Sequence, residues 1–337
     1  MHATKRLLGY KKWNEAGTEW LKTARGKFFR IGILGGTVLL YPVGSILVNG
    51  PFIKFAFPWR FDAEPLPNSL AEIAKEEYER FLEKEKRLPK DTVVRNYVQK
   101  HLDNFESISR GSLGVRFGLC NALPCFARFK NQDEAYQYLK KNYTKSLKCL
   151  GEDVEIQWDT PIGQELVESL TLSENALRFL LLRNLYASEG YNAMAGRGIT
   201  WATFSAFSCL FTYFLHTSRI GGSTAMSFLV TYAICTCMAL YGSQEWNKLY
   251  RYITGIHADN VSAKTSFEHC EGGKEYYWKM LKINRIFRDL HPHLYTQIKV
   301  TGDVRDIDIP ILTRYDHLKD LKEEDDQLKP VLEGDDF

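Results

Sequence analysis

The sequence predicts a mainly α, α+β membrane protein. It has an N-terminal span, a small α+β soluble part, a helical hairpin in the membrane and C-terminal helices. Three observations carry this reading. Three runs contain no Asp, Glu, Lys or Arg: 23 residues from Ile31 to Ile53, 21 from Gly198 to Ser218, and 25 from Ile220 to Gln244. An excess of cations precedes the first run. Elsewhere apolar residues recur at helical or alternating spacing between turn signals. The averages conceal this segregation, since 25% charged residues and a net charge of +3 over 337 residues would suit a soluble chain.

Residues 1–30 form a basic amphipathic segment. Lys5, Arg6, Lys11, Lys12, Lys22, Arg25, Lys27 and Arg30 stand against only Glu15 and Glu19, with Leu7, Leu8, Trp13, Trp20, Leu21 and Phe28 among them. Cations before a first span hold that flank on the side from which the chain is inserted, which is the matrix for an inner mitochondrial membrane. The composition fits a mitochondrial address, although matrix-targeting segments are richer in Arg and poorer in acids. A secretory signal fits badly, because the apolar run starts late and no small-x-small cleavage site is evident.

The charge-free runs follow. A bilayer core takes about 20 residues of apolar helix, because unpaired backbone groups are too costly in hydrocarbon. Spans are therefore expected at 31–50, 198–218 and 220–243. The competing reading is a buried helix of a soluble core, and it suits the first run best, with its Pro42, Pro51 and five glycines. Arg219 alone separates the other two runs and reads as a hairpin turn. Ala202, Ser205, Ala206, Ser208, Ala225, Ser227 and Ala233 would let membrane helices approach closely, and Gly32 and Gly36 make one GxxxG pattern.

Residues 51–197 form the expected α+β region. Leu70–Leu88 has helical spacing, is stopped by Pro89 and reads as a solvated surface helix. Gly111–Lys130 reads as two short strands with a turn near Asn121–Pro124. Asp133–Leu150 reads as helix and Val154–Thr160 as a strand. Thr171 or Ser173 can cap a helix running to about Ala187. Residues 244–315 are mostly helical and expected to pack with 51–197, with Gly272–Gly273 breaking one helix from the next. Residues 316–337 hold nine acids against three lysines, the signature of a disordered acidic tail.

Chemistry is sparse. There is no HExxH, Walker loop, dinucleotide GxGxxG or GxSxG. The balance of 44 Lys+Arg against 41 Asp+Glu argues against nucleic-acid binding by bulk charge. Seven scattered cysteines make no disulfide scaffold. Cys120/Cys125, Cys235/Cys237, His269–Cys270 and His291/His293 each lack further ligands or a partner base and read as packing or surface residues. Asn142 and Asn260 begin glycosylation sequons, which are silent outside the secretory route. No catalytic, cofactor-binding or metal-binding residue is assigned, no cofactor is expected, and no small-molecule substrate is expected.

The order helix, membrane hairpin, then a helix with Ala258–Asp259 resembles integral-membrane zinc peptidases of the M-forty-eight class. There the first helix carries HExxH, and a Glu ligand precedes the Asp by four residues. Here those positions read Arg183-Asn184-Leu185-Tyr186-Ala187 and Gly255, so the ligands and the general base are missing. The resemblance implies a degenerate zincin-peptidase-like architecture without its chemistry.

A closer resemblance is carried by Ser169-Leu170-Thr171-Leu172-Ser173, by Tyr241-Gly242-Ser243-Gln244, and by Gly272-Gly273 followed by Glu275-Tyr276-Tyr277. These stretches, with the early span and later hairpin, are similar to the transmembrane protein 177 family over roughly residues 28–315. The resemblance is weak in 51–110 and absent from the acidic tail. It implies a multi-pass protein of the mitochondrial inner membrane acting in cytochrome c oxidase biogenesis. The implied partners are oxidase subunit 2, its assembly chaperone and the bilayer. The implied role is a non-enzymatic scaffold that stabilises the new subunit until its copper centre is built. The alternative is a membrane-embedded zincin-like hydrolase or metal carrier with unorthodox ligands. If the first run crosses, 51–197 and the C-terminus face the intermembrane space; if not, both lie in the matrix.

Overall fold

Eleven α-helices and six strands make up the described residues, 2–190, 196–220 and 222–332, of the computed structural model. In chain order they are α1 (His2–Lys22), α2 (Ala24–Asn49), α3 (Ile53–Phe61), β1 (Ala63–Pro65), α4 (Asn68–Lys84), β2 (Val94–Gln99), β3 (Ile108–Gly111) and β4 (Leu119–Leu123). Then come α5 (Gln132–Asn142), β5 (Ser146–Cys149), β6 (Glu152–Glu155), α6 (Pro161–Ser169), α7 (Glu174–Tyr186), α8 (Gly198–Thr217), α9 (Ala225–Ala263), α10 (Phe267–Leu290) and α11 (Ile311–Leu332). The chain divides into two units, Met1–Val48 with Ala195–Tyr250, and Asn49–Met194 with Arg251–Phe337.

The first unit holds the apolar helices. α2, α8 and α9 are each long and apolar enough to cross a membrane. Their large apolar side chains point outward, as with Leu40, Phe207 and Met238, which hydrocarbon tolerates and water does not. Inter-helix contacts combine a small apolar cluster of Leu21, Leu34, Cys209, Ala225 and Phe228 with polar bonds and close approaches. Trp201 Nε1 donates to Thr37 O at 2.8 Å, and the Thr37 and Tyr232 hydroxyls meet at 2.7 Å. Ser205 and Thr212 bond back to their own helix at Trp201 O and Ser208 O. The GxxxG pattern takes no part in packing, since a Cβ on Gly32 would meet nothing and one on Gly36 only Leu40 of its own helix. Close approach falls instead at Gly198, beside Pro42 Cα, and at Gly242, against the Phe204 ring.

Thr23 separates α1 from α2, and Gly26 makes the bend possible because a Cβ there would lie 2.2 Å from Trp20 O. α1 then caps α9: Asn14 Oδ1 accepts from Met226 N and Thr18 Oγ1 from Ala225 N, satisfying two of the helix's free N–H groups. Arg219, at φ 60°, makes the left-handed turn of the hairpin. α9 does not end with the apolar run. Its 39 residues span about 58 Å at 1.5 Å each, roughly twice the hydrocarbon thickness.

The second unit is built around a sheet of order β1-β2-β4-β3, with β2 and β4 parallel and β3 at the edge. The turn expected at Asn121–Pro124 lies earlier, between β3 and β4, where Gly111, Gly114 and Gly118 take positive φ. All five residues of β4 are buried, including Asn121, whose amide is bonded to Ser109 and Asn96, so the segment is a central strand rather than a turn. The expected helix to Leu150 stops at Asn142, and β5 and β6 follow as a hairpin through Leu150–Gly151, both at positive φ as its two-residue turn requires. The strand expected at Val154–Thr160 is therefore β6, ending at Glu155.

α7, capped by Ser173 Oγ accepting from Ala176 N, lies buried against α10. Gly272 and Gly273 do not break the helix: α10 runs through both. A Cβ on Gly272 would lie 2.2 Å from Asn175 O, and one on Gly273 2.8 Å from the Phe179 ring. They are contact points at which α10 meets α7. The acidic stretch expected to be disordered from Asp316 begins inside α11, with Ile311 and Leu318 buried in the same core. Residues 333–337 lie outside the described residues.

Candidate functional site

Four helices of the second unit converge on one carboxylate. Asp259, on α9, is fully buried. Its Oδ1 accepts from Arg183 Nε of α7 at 2.9 Å, from the Tyr277 hydroxyl of α10 at 2.8 Å and from Arg314 Nη2 of α11 at 2.7 Å; Oδ2 accepts from Arg314 Nε at 2.7 Å. The Arg314 guanidinium also lies 4.6 Å from the Tyr277 ring centre. Burial, with Asp259 adding to it against Arg314, holds the Tyr277 phenol well above its ordinary pKa, so it stays a donor. A buried charge survives only when paired and hydrogen-bonded, and here both carboxylate oxygens are.

A cavity of about 200 Å³ lies beside this cluster. α7 contributes Arg183 and Asn184, with Ala187 at its C-cap; α9 contributes Arg251, Thr254 and Gly255. Ser107 and Ser109 come from the edge strand and the residue before it, and Asp308, Ile309 and Arg314 from the C-terminal segment. The positions singled out by the peptidase comparison, Arg183, Asn184, Ala187 and Gly255, thus share one cavity, with Asp259 bonded to Arg183. A Cβ on Gly255 would lie 2.4 Å from Ile309 Cδ1, so no ligand side chain fits there while Ile309 keeps its place. Arg251 pairs with Asp308 at 2.6 Å.

A second buried cluster sits on α4, expected to be solvated. Glu77 is fully buried. Its Oε1 takes Arg178 Nη1 at 2.8 Å and Arg80 Nη1 at 3.1 Å, and its Oε2 lies 3.0 Å from His269 Nε2. His269 Nδ1 is 2.8 Å from Ser266 Oγ. Burial raises the Glu77 pKa, but the hydrogen bonds from His269 and Arg178 and the neighbouring positive charges outweigh it and hold the carboxyl below its ordinary value.

Among the described residues no three His, Cys, Asp or Glu side chains come together as a metal site. Cys235 is buried and Cys237 exposed on the same helix. The His291 and His293 rings lie 5.5 Å apart at the turn after α10. Burial pushes the Cys120 and Cys125 thiols up and that of Cys149 to about 12, away from thiolate character. The sequence reading missed Arg314 and Glu77, and set His269 aside for want of the partner that Glu77 supplies. The signal for Arg314 is Ile311 and Leu318 at i−3 and i+4, which place it on an apolar helix face.

The family described as Transmembrane protein 177 matches residues 21–336. A Caenorhabditis elegans protein, "Uncharacterized protein R144.12", is 52% identical over 329 residues, covering 97% of this chain and 99% of that protein. No solved structure matches.

Proposed function

Given that the chain belongs to the transmembrane protein 177 family, we propose that it is a non-enzymatic assembly factor of the mitochondrial inner membrane. It holds newly made cytochrome c oxidase subunit 2, together with that subunit's assembly chaperone, until the copper centre is built. Family membership over nearly the whole chain carries the reading. The three apolar helices supply a membrane seat, and the basic segment before α2 suits insertion from the matrix.

The interior of the second unit favours a scaffold over a hydrolase. At Arg183, Asn184, Ala187 and Gly255 the chain offers a guanidinium, an amide, a methyl group and a bare backbone. None is a zinc ligand or a general base. Asp259 is engaged by two arginines and a tyrosine, which leaves it no freedom to act as one.

The test is disruption of the gene followed by pulse labelling of mitochondrial translation products. Subunit 2 should be made at the normal rate and decay faster, and the loss should be reversed by re-expression. An unchanged lifetime would overturn the reading. Stoichiometric zinc or copper in the purified protein would count for the metal-dependent alternative.

A further inference from the structure

Asn184 is 2% exposed and unevenly satisfied. Its Oδ1 accepts from Arg183 Nη1 at 3.3 Å, whereas Nδ2 has no partner. The guanidinium fixes the orientation of the amide, because a flipped side chain would set two donors against each other. Native proteins rarely leave a buried donor unpaired, and this one lines the cavity. The buried hydroxyl of Ser107 lines it too and likewise has no partner.

The strand beside it offers an edge whose Ser109 carbonyl accepts from the exposed Arg110 side chain at 2.8 Å, a bond that an incoming strand would replace. β3 is the edge of its sheet, bonded to β4 on one side. Among the described residues no other strand pairs with it. An edge strand is a template for a further strand, with main-chain bonds giving affinity and alternate side chains entering pockets. Ser107 and Ser109 are two residues apart, hence on one face, and both face this cavity.

Charge and size narrow the occupant. The lining sets Arg183, Arg251 and Arg314 against Glu106 and Asp308, and Asp259 behind it pairs with Arg183 and Arg314, which brings the charges to balance. A balanced site suits a neutral peptide group better than a free ion. About 200 Å³ is the share of roughly six or seven waters at ~30 Å³ each, room for one residue of a passing chain and too little for a folded element.

We infer that this cleft takes an extended polypeptide segment of the client, laid along β3, with one backbone carbonyl accepting from Asn184 Nδ2. The inference rests on the assembly reading for the client's role, and it names the means by which a non-native segment would be held.

The test uses full-length protein in phosphatidylcholine nanodiscs and a display library of random ten-residue peptides. Enriched peptides are synthesised with a fluorophore, both plain and N-methylated at alternate backbone amides. Anisotropy titrations should show saturable binding that one register of N-methylation weakens at least tenfold. Asn184→Asp keeps the shape and gains a pairing with Arg183, but turns a carboxylate on the peptide carbonyl. Ser107→Phe fills the cavity. Each should weaken binding at least tenfold with the circular dichroism unchanged. The N-methylation series needs no variant, so it stands even if one fails to fold. Failure to enrich a peptide overturns the inference, and so does binding indifferent to both substitutions and to N-methylation. If subunit 2 still decays faster on gene disruption, such a failure leaves the assembly reading intact. Cleft-dependent binding with an unchanged subunit lifetime overturns that reading and leaves the cleft as a peptide site.

Discussion

Asp259 and Glu77 are both fully buried carboxylates, and they differ in what their removal exposes. Asp259→Ala leaves Arg183 and Arg314 facing each other in the interior without a counter-charge. Breaking one partner of a buried ion pair costs about 3–5 kcal/mol, so thermal unfolding of this variant should fall by several degrees. Replacing Arg183 should cost less, because Arg314 still holds both oxygens of Asp259. Glu77 carries a pH signature. Its pKa in the folded protein lies below the ordinary value near 4.5. Its stabilisation is therefore complete above that ordinary value and is lost as pH falls through the folded one. Glu275 behaves in the same way: burial raises it, but Lys279 and Ser173 hold it down. Unfolding followed from pH 7 to pH 3 should show the wild type losing stability below about pH 4.5, with Glu77→Gln less stable at pH 7 and converging on it in acid. A constant gap between the two proteins would refute the assignment. Neither carboxylate was legible as buried in the sequence, because the partners that enclose it lie far along the chain: beyond its neighbour Arg80, Glu77 meets residues 178 and 269, and Asp259 meets residues 183 and 314.

Elements were legible where local chemistry decides them and illegible where tertiary contact does. The three apolar helices could be read from missing charge, and α7 from its cap at Ser173. Gly272 and Gly273 read locally as a helix break, yet α10 passes through both because α7 needs backbone-to-backbone approach there. Gly272→Ala therefore sets two effects against each other. Alanine favours helix by about 1 kcal/mol, but its Cβ would sit 2.2 Å from the Asn175 carbonyl oxygen. Backbone cannot yield as a flexible side chain can, and overpacking of this kind costs about 1–3 kcal/mol. The clash should win, so chemical denaturation of Gly272→Ala should show a net loss, and a gain would mean that the two helices can part. Gly242→Ala in the membrane hairpin meets only the Phe204 ring, which can rotate away, and should be milder. The β3–β4 turn escaped the sequence reading because Asn121 and Pro124 carry local turn signals, whereas Asn121 is buried inside β4 with its amide bonded to Ser109 and Asn96.

At the scale of the whole chain, the second unit constrains the membrane topology. It is assembled from Asn49–Met194 and Arg251–Phe337, with α7 from the first portion buried against α10 from the second. Portions that share a core lie on one side of a bilayer. The segment joining them must then cross an even number of times, as the hairpin of α8 and α9 does. A single crossing by α2 puts the residues before it on the opposite side. That flank carries Lys22, Arg25, Lys27 and Arg30, and cations next to a first span hold it on the side of insertion. In the proposed inner-membrane setting the charge rule predicts the N-terminus in the matrix and both portions of the second unit in the intermembrane space. Tags placed at the two ends test this directly. Protease added to mitochondria with intact outer membranes should spare both tags. After osmotic rupture of the outer membrane it should remove the C-terminal tag and leave the N-terminal one, and detergent should expose both. Two tags spared after rupture would mean that α2 does not cross, so that both portions of the second unit lie in the matrix. Loss of the N-terminal tag alone would reverse the orientation and set the basic flank against the charge rule.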